Sequence, residues 1–185
     1  MSEVDVGLKH SRGAWRAAVA PTGETFSEDS SPEGVLRLAG RIGELRPAAV
    51  LVQALGGGEL PVVVALLEQG VRVRVTSKEQ VQAFAATTGA GLSGATTVAE
   101  MAGTARLLGE RMKTQEGDDE RVHLLLARRR QVLEMRAQEE ERLPGIEYAP
   151  IREDLERHLF FLDRQLVGLH ERLLYLVQVV LPRER

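Results

Sequence analysis

The chain has 185 residues, 43% of them hydrophobic and 28% charged, with a formal net charge of -3. This length predicts one domain, or one domain with an appendage, and the composition is rich enough in apolar residues to exclude a disordered chain. Cys is absent, which excludes disulfides, thiol nucleophiles and Cys-ligated zinc, and the near-neutral charge gives no general pull toward nucleic acid.

The basic residues are nearly all Arg; only Lys9, Lys78 and Lys113 are Lys. No apolar run reaches the about 18 residues of a membrane span, and the N-terminus lacks a signal-peptide profile. A soluble, cytoplasmic protein with no membrane contact is expected.

The first half reads as strands and helices in alternation. Val4, Val6 and Leu8 alternate as in a half-buried strand. Arg12-Gly13 is a turn, and Trp15, Ala17 and Val19 alternate after it. Pro21-Thr22-Gly23 turns the chain again, and Glu24 to Phe26 forms a short third strand. Ser31 before Pro32 pairs an N-cap with a good first helical residue, and Val35, Leu38, Ala39, Ile42 and Leu45 follow at helical spacing until Pro47. Ala49 to Val52 is a strand. Gly56-Gly57-Gly58 is a turn, and Leu60 to Gln69 is a helix ended by Gly70. Val71, Val73 and Val75 alternate. Lys78 to Ala86 and Thr96 to Leu108 read as helices, linked by the Gly-rich stretch from Gly89 to Gly94. Three meander strands, then strands with crossover helices, is the order of a ribonuclease-H-like α/β fold. A doubly wound sheet would alternate from its start.

The character changes after residues 113–120, a polar, acidic linker. Residues 1–112 form the α/β domain and 121–185 a helical domain. Arg121 to Leu143 has no Gly or Pro. Pro144-Gly145 breaks it, and Pro150 closes a short loop. Leu155, Leu159, Leu162, Leu166, Leu169, Leu173, Leu176 and Val180 then recur at spacings of 4, 3, 4, 3, 4, 3 and 4, an a/d heptad seam. Two long helices with a short link predict an antiparallel hairpin or coiled coil. The seam either packs back on Arg121 to Leu143 or pairs with a second copy. Phe160, Phe161, Leu174 and Val177 add apolar surface that one short helix cannot cover, so self-association is expected.

Arg128-Arg129-Arg130, with Arg121 and Arg136, is the one local concentration of positive charge. It is a solvated face paired with Glu134 and Glu139 to Glu141, or a stripe contacting phosphates. Gly56-Gly57-Gly58 lacks the Lys-Ser/Thr of a P-loop and reads as a tight turn rather than a phosphate cradle. His10, His123, His158 and His170 have no carboxylate at metal-ligand spacing. Ser11 has no evident His–Asp partner set. A ribonuclease-H-like nuclease clamps two metal ions with carboxylates near the ends of its first and fourth strands and on a late helix. Here those strands end in Leu8-Lys9-His10 and Val52-Gln53-Ala54, and no acidic residue lies between Gln80 and Ala99. No metal, no cofactor and no enzymatic activity are expected.

These same residues resemble a known family. Val6 to Trp15 looks like the opening of the Piv-type DEDD transposases, insertion-sequence family one hundred and ten, with a RuvC-like N-terminal domain. In that family the first strand usually ends in Asp, followed by Val-Ser-Lys. Val52 to Glu59 is similar to its Glu-Ala-Thr-Gly-Gly-Tyr-Glu stretch. Val75 to Phe84 resembles its Asn-Pro-x-Gln-Val-x-x-Phe segment. Thr88-Gly89 precedes the place of its Lys-Thr-Asp-x-x-Asp-Ala motif, and Leu125 to Met135 with Ile151 to Leu166 look like its central helices. The resemblance runs over nearly the whole chain to Arg185, without the family's C-terminal domain that carries a catalytic Ser. It places the family's metal-binding carboxylates on Lys9, Gln53, Ala95 and Val98, so the catalytic site is degenerate at all four positions. Glu59 survives alone, and Asp5 and Glu100 stand off the motif positions.

The resemblance implies a non-catalytic, transposase-derived protein that binds DNA or structured RNA and associates with itself. A repressor, an accessory subunit or a DNA-architectural role would suit it. Arg121, Arg128, Arg129, Arg130, Arg136 and Lys9 are its candidate phosphate contacts. Lys9 would neutralise a phosphate or pair with Glu59, or else it marks drift at an unused site. The alternative is a protein-interaction module in which the coiled coil is the function and the α/β domain a scaffold. An active nuclease would have to rearrange its ligands onto Asp5, Glu59 and Glu100.

Overall fold

A computed structural model describes residues 4–88, 95–108 and 118–178. It divides the chain into two units, residues 1–113 with 177–185, and residues 114–176. The linker expected at 113–120 lies mostly outside the described residues, and its last residues, Asp118 to Glu120, already belong to a helix. Val177 and Gln178 group with the first unit rather than the helical one, and Gln178 makes an isolated parallel bridge to Val75. Val180 and the stretch Gly89 to Gly94 lie outside the described residues.

The first unit is built on a mixed five-stranded sheet. Its strands are β1 (Asp5–Ser11), β2 (Ala14–Ala20), β3 (Thr25–Asp29), β4 (Ala49–Gln53) and β5 (Val73–Thr76), in the order β3-β2-β1-β4-β5. β1 runs antiparallel to β2 and parallel to β4, and β5 is parallel to β4. Arg12 and Gly13, both at positive φ (54° and 77°), make the two-residue turn that joins β1 to β2. Such turns match the right-handed twist of a hairpin, and this one sets the register, with Ser11 opposite Ala14 and Lys9 opposite Arg16.

Four helices accompany the sheet: α1 (Pro32–Leu45), α2 (Leu60–Glu68), α3 (Lys78–Thr88) and α4 (Ala95–Leu108). The Ser31 side chain accepts the Gly34 amide at 3.0 Å, the expected N-cap of α1. The helix ends at Leu45, and its C-cap Arg46, just before Pro47, turns left-handed at φ 47°. Strand alternation splits the sheet residues between two faces. Val6, Leu8, Val50 and Val52 are fully buried on one face, the side covered by α1 and α2 through Leu38, Ile42, Val62, Val63 and Leu66. Gly7 and Leu51 lie on the other face, under α4. There Leu51 packs with Val98, Met101 and Ala102, and Val81 and Phe84 of α3 pack against that cluster.

The second unit is a helical hairpin. α5 (Asp118–Arg142) passes through a 3-10 turn, Leu143–Gly145, into α6 (Ala149–Val177), which the first unit claims only at its last residue. Pro150 does not close a loop as expected. It sits in the first turn of α6, where its missing N–H costs nothing. The heptad seam is turned onto α5: Leu162, Leu166 and Leu169 pack with Val132, Leu125 and Leu133. Leu173 is also fully buried, while Leu155, Leu159 and Leu176 are half-buried. Among the described residues no helix is long and apolar enough to cross a membrane.

Candidate nucleic-acid interface

Counting from the Arg12-Gly13 turn places Lys9 opposite Arg16, and Arg16 opposite Ser27. On the other side of β1, Leu8 pairs with Val52, so Lys9 and Gln53 are the next residues on two parallel strands, and Gln53 pairs with Thr76. Ser27, Arg16, Lys9, Gln53 and Thr76 therefore form one polar row across all five strands. The row lies on the α4 face, one step past Gly7 and Leu51.

Like charges directly opposite in an antiparallel pair repel, at a cost of about 0.2–1 kcal/mol. Lys9 and Arg16 nevertheless face each other, and neither makes an ion pair or hydrogen bond among the described residues. Beside them Gln53 is 7% exposed, and its Oε1 accepts no hydrogen bond. An orphaned buried acceptor costs about 1–3 kcal/mol. Thr76 is satisfied: its hydroxyl donates to the Gln80 amide oxygen at 2.9 Å.

The other two positions matched to the family's carboxylates are packing positions. A Cβ at Gly7 would meet the Ala99 amide nitrogen, with the Val98 carbonyl carbon at 2.5 Å and the Ala95 carbonyl oxygen at 2.6 Å. The backbone of α4 thus rests directly on β1. Val98 is fully buried in the Leu51 cluster, and Ala95 packs with Ala18 and Ala99. A carboxylate at Val98 would be sealed among apolar side chains with no partner, a penalty of several kcal/mol.

The candidate carboxylates Glu59, Asp5 and Glu100 are not brought together into a metal-holding group among the described residues. Glu59 is buried and braces the glycine turn: its Oε2 accepts the Leu55 amide at 2.8 Å and the Gly57 amide at 3.0 Å. Two of the amides that a phosphate would need, those of Leu55 and Gly57, are thereby already satisfied by the chain itself, and Glu59 is not a partner of Lys9. Asp5 is buried at the opposite end of β1, four residues from Lys9, about 13 Å along the strand. Glu100 is exposed on α4. Among the described residues no group of three or more His, Asp or Glu side chains could hold a metal ion. His10 serves the hairpin, with Nε2 2.9 Å from the Ser30 hydroxyl and its ring edge-to-face with Trp15.

In the helical unit the arginine stripe is largely engaged across the hairpin. Arg128 donates to Gln165 at 3.2 Å, and Arg136 pairs with Asp163 at 2.7 Å and Glu140 at 2.8 Å. The Asp163 contact is the main reason the Arg136 guanidinium is raised above its ordinary value. Arg129 donates to Nε2 of His170 at 3.2 Å. Burial first, and then the Arg129 charge, push His170 below its ordinary value, which keeps the imidazole neutral and able to accept that bond. Arg121 has a partner as well. Arg130 alone of the five is exposed with no ion pair or hydrogen bond among the described residues. Of the expected Glu partners Glu140 contributes; Arg128 also reaches Gln131 on its own helix, and Gln165, His170 and Asp163 engage the stripe from across the hairpin on α6.

Arg16 and Thr76 were not legible as site residues from composition or motif. The signal was available in the two-residue turn: once Arg12-Gly13 is fixed, pairing puts Arg16 beside Lys9. No family model and no curated protein matches the chain.

Proposed function

We propose that the chain is a non-catalytic, ribonuclease-H-like protein of transposase ancestry that binds the sugar–phosphate backbone of a nucleic acid and associates with itself. The strand order β3-β2-β1-β4-β5, with α4 lying on β1, supports the RuvC-like reading. One observation carries the binding role: Lys9 and Arg16, unpaired and facing each other, stand beside the orphaned amide of Gln53. A phosphate between the two cations removes their repulsion. A neighbouring sugar hydroxyl or base amine supplies the donor that Gln53 Oε1 lacks. The row occupies the strand ends where the resembled family holds metal ions, so cationic side chains stand in for cations. No cofactor enters this reading.

The test is fluorescence anisotropy with duplex DNA, single strands and structured RNA, without magnesium, at two salt concentrations. Binding is expected to weaken steeply with salt. K9A and R16A are each expected to weaken it several-fold and to lower the salt slope by about one. Arg130→Ala, the free member of the arginine stripe, measures the contribution of the helical unit. Absence of binding at low salt, or K9A/R16A binding with the parent's affinity, overturns the proposal. Such a result favours the interaction-module reading, for which the exposed aromatic side chains of α6 are the supporting observation.

A further inference from the structure

The seam that the heptad pattern offered to a second copy is used inside the hairpin, which leaves the opposite face of α6 to explain. That face is also patterned. Phe160, Arg164, Val167, Glu171 and Leu174 recur at spacings of 4, 3, 4 and 3, a second heptad line on the same helix. Phe161, Gly168 and Tyr175 run parallel to it, seven residues apart. Phe160, Phe161, Val167 and Tyr175 are 64%, 54%, 57% and 76% exposed, a large apolar surface for one helix.

We propose that this face pairs with the same face of a second copy, antiparallel, about a two-fold axis at Val167 and Gly168. This deepens the self-association half of the proposed function and is independent of its nucleic-acid half. The warrant is self-complementarity, which a two-fold interface requires. Reversing the helix about that axis brings Arg164 opposite Glu171 of the second copy, twice by symmetry. Arg164 and Glu171 make no ion pair among the described residues of their own chain. The same operation sets Phe160 against Leu174 of the second copy, Phe161 against its Tyr175, and Val167 against its own counterpart. Gly168 falls on the axis. A glycine in mid-helix costs about 1 kcal/mol relative to Ala, and a Cβ there would meet nothing within its own chain. A second helix approaching closely at that point gives it a use. Tyr175 also borders an open groove of about 600 Å³ formed with Leu124 and Leu125, so the apolar surface continues onto α5 beside the paired helices. A parallel pairing would place Arg164 on Arg164 and Glu171 on Glu171, and like charges then oppose it.

The experiment is sedimentation velocity on the full chain from low to high micromolar concentration, with charge reversals at exposed positions. R164E and E171R are each expected to weaken the dimer about tenfold or more, because each creates two like-charge contacts. The double variant R164E/E171R restores it, and mixing the two single variants yields a heterodimer. The chain has no Cys, so introduced cysteines report geometry cleanly. V167C is expected to form a disulfide-linked dimer on mild oxidation. F160C is not, because its counterpart lies 14 residues away, about 21 Å along the antiparallel pair. A monomer at all concentrations, a dimer indifferent to the reversals, or linkage through F160C as readily as through V167C overturns the proposal. Circular dichroism of each variant confirms the fold, and anisotropy with nucleic acid, read separately, distinguishes failure here from failure of the binding role.

Discussion

Gly7→Ala tests the packing that fixes the candidate site. The added Cβ meets three backbone atoms of α4, two of them at 2.5 and 2.6 Å, where ordinary contact begins near 3.4 Å. No rotamer change relieves a backbone clash, so α4 must retreat by about 1 Å. A gap of that size forfeits a quarter to a half of each affected contact. The affected side chains are those of Ala95, Val98 and Ala99 against Ala18 and Leu51, all nearly or fully buried. Overpacking of this kind costs about 1–3 kcal/mol, and the loss of α4 packing places the expected value at the upper end, about 3 kcal/mol. The up to about 1 kcal/mol gained from a stiffer unfolded chain does not offset it. The single tryptophan, Trp15, lies buried on β2, so its fluorescence in urea follows the first unit alone. Gly40→Ala is the control: it lies on α1 with open space around it, and is expected to stabilise by up to about 1 kcal/mol. A G7A protein within about 0.5 kcal/mol of the parent would refute the close approach of α4 to β1.

Two further predictions concern the polar groups. Gln53→Met replaces a buried orphan acceptor by an apolar side chain of similar size and is expected to raise stability by about 1 kcal/mol in the same urea assay. If the amide serves a ligand, the same variant loses nucleic-acid affinity while gaining stability; a loss of both refutes the orphan assignment. His170 supplies a pH dependence. Its folded value is depressed below 6.5, so the unfolded chain binds the proton more readily. The stability it contributes is complete above about pH 6.5 and is lost as pH falls through the depressed folded value. Melting of the helical signal is expected to shift down between about pH 7.5 and 5.5, and H170Q, which keeps a neutral acceptor for Arg129, is expected to shift less. An equal shift in both proteins refutes the role of His170.

The two cations at the end of the sheet and the aromatic line on α6 share one logic: each is a local arrangement that its own unit does not satisfy. Neighbouring features that invite the same reading do not qualify. The glycine turn is closed by Glu59, and most of the arginine stripe is satisfied across the hairpin by Gln165, His170 and Asp163.

The sequence by itself determined the element order, because each element is written locally. The Ser31-Pro32 cap, the Arg12-Gly13 turn and the alternation of Val6 with Leu8 need no distant partner to act. That Lys9, Gln53, Ala95 and Val98 carry no acidic group was legible for the same reason. What those positions do instead was decided by tertiary structure. Val98 and Ala95 became core only because α4 lies on Gly7, far earlier in the chain, a contact that no local pattern encodes. Arg16 joined Lys9 through strand pairing. The heptad seam is the sharpest case. Its periodicity fixes that one face of α6 is buried, but an apolar face gains the same free energy against α5 as against another chain. Only the fold decided between them, and by covering the seam it left Phe160, Phe161, Val167 and Tyr175 of the opposite face exposed.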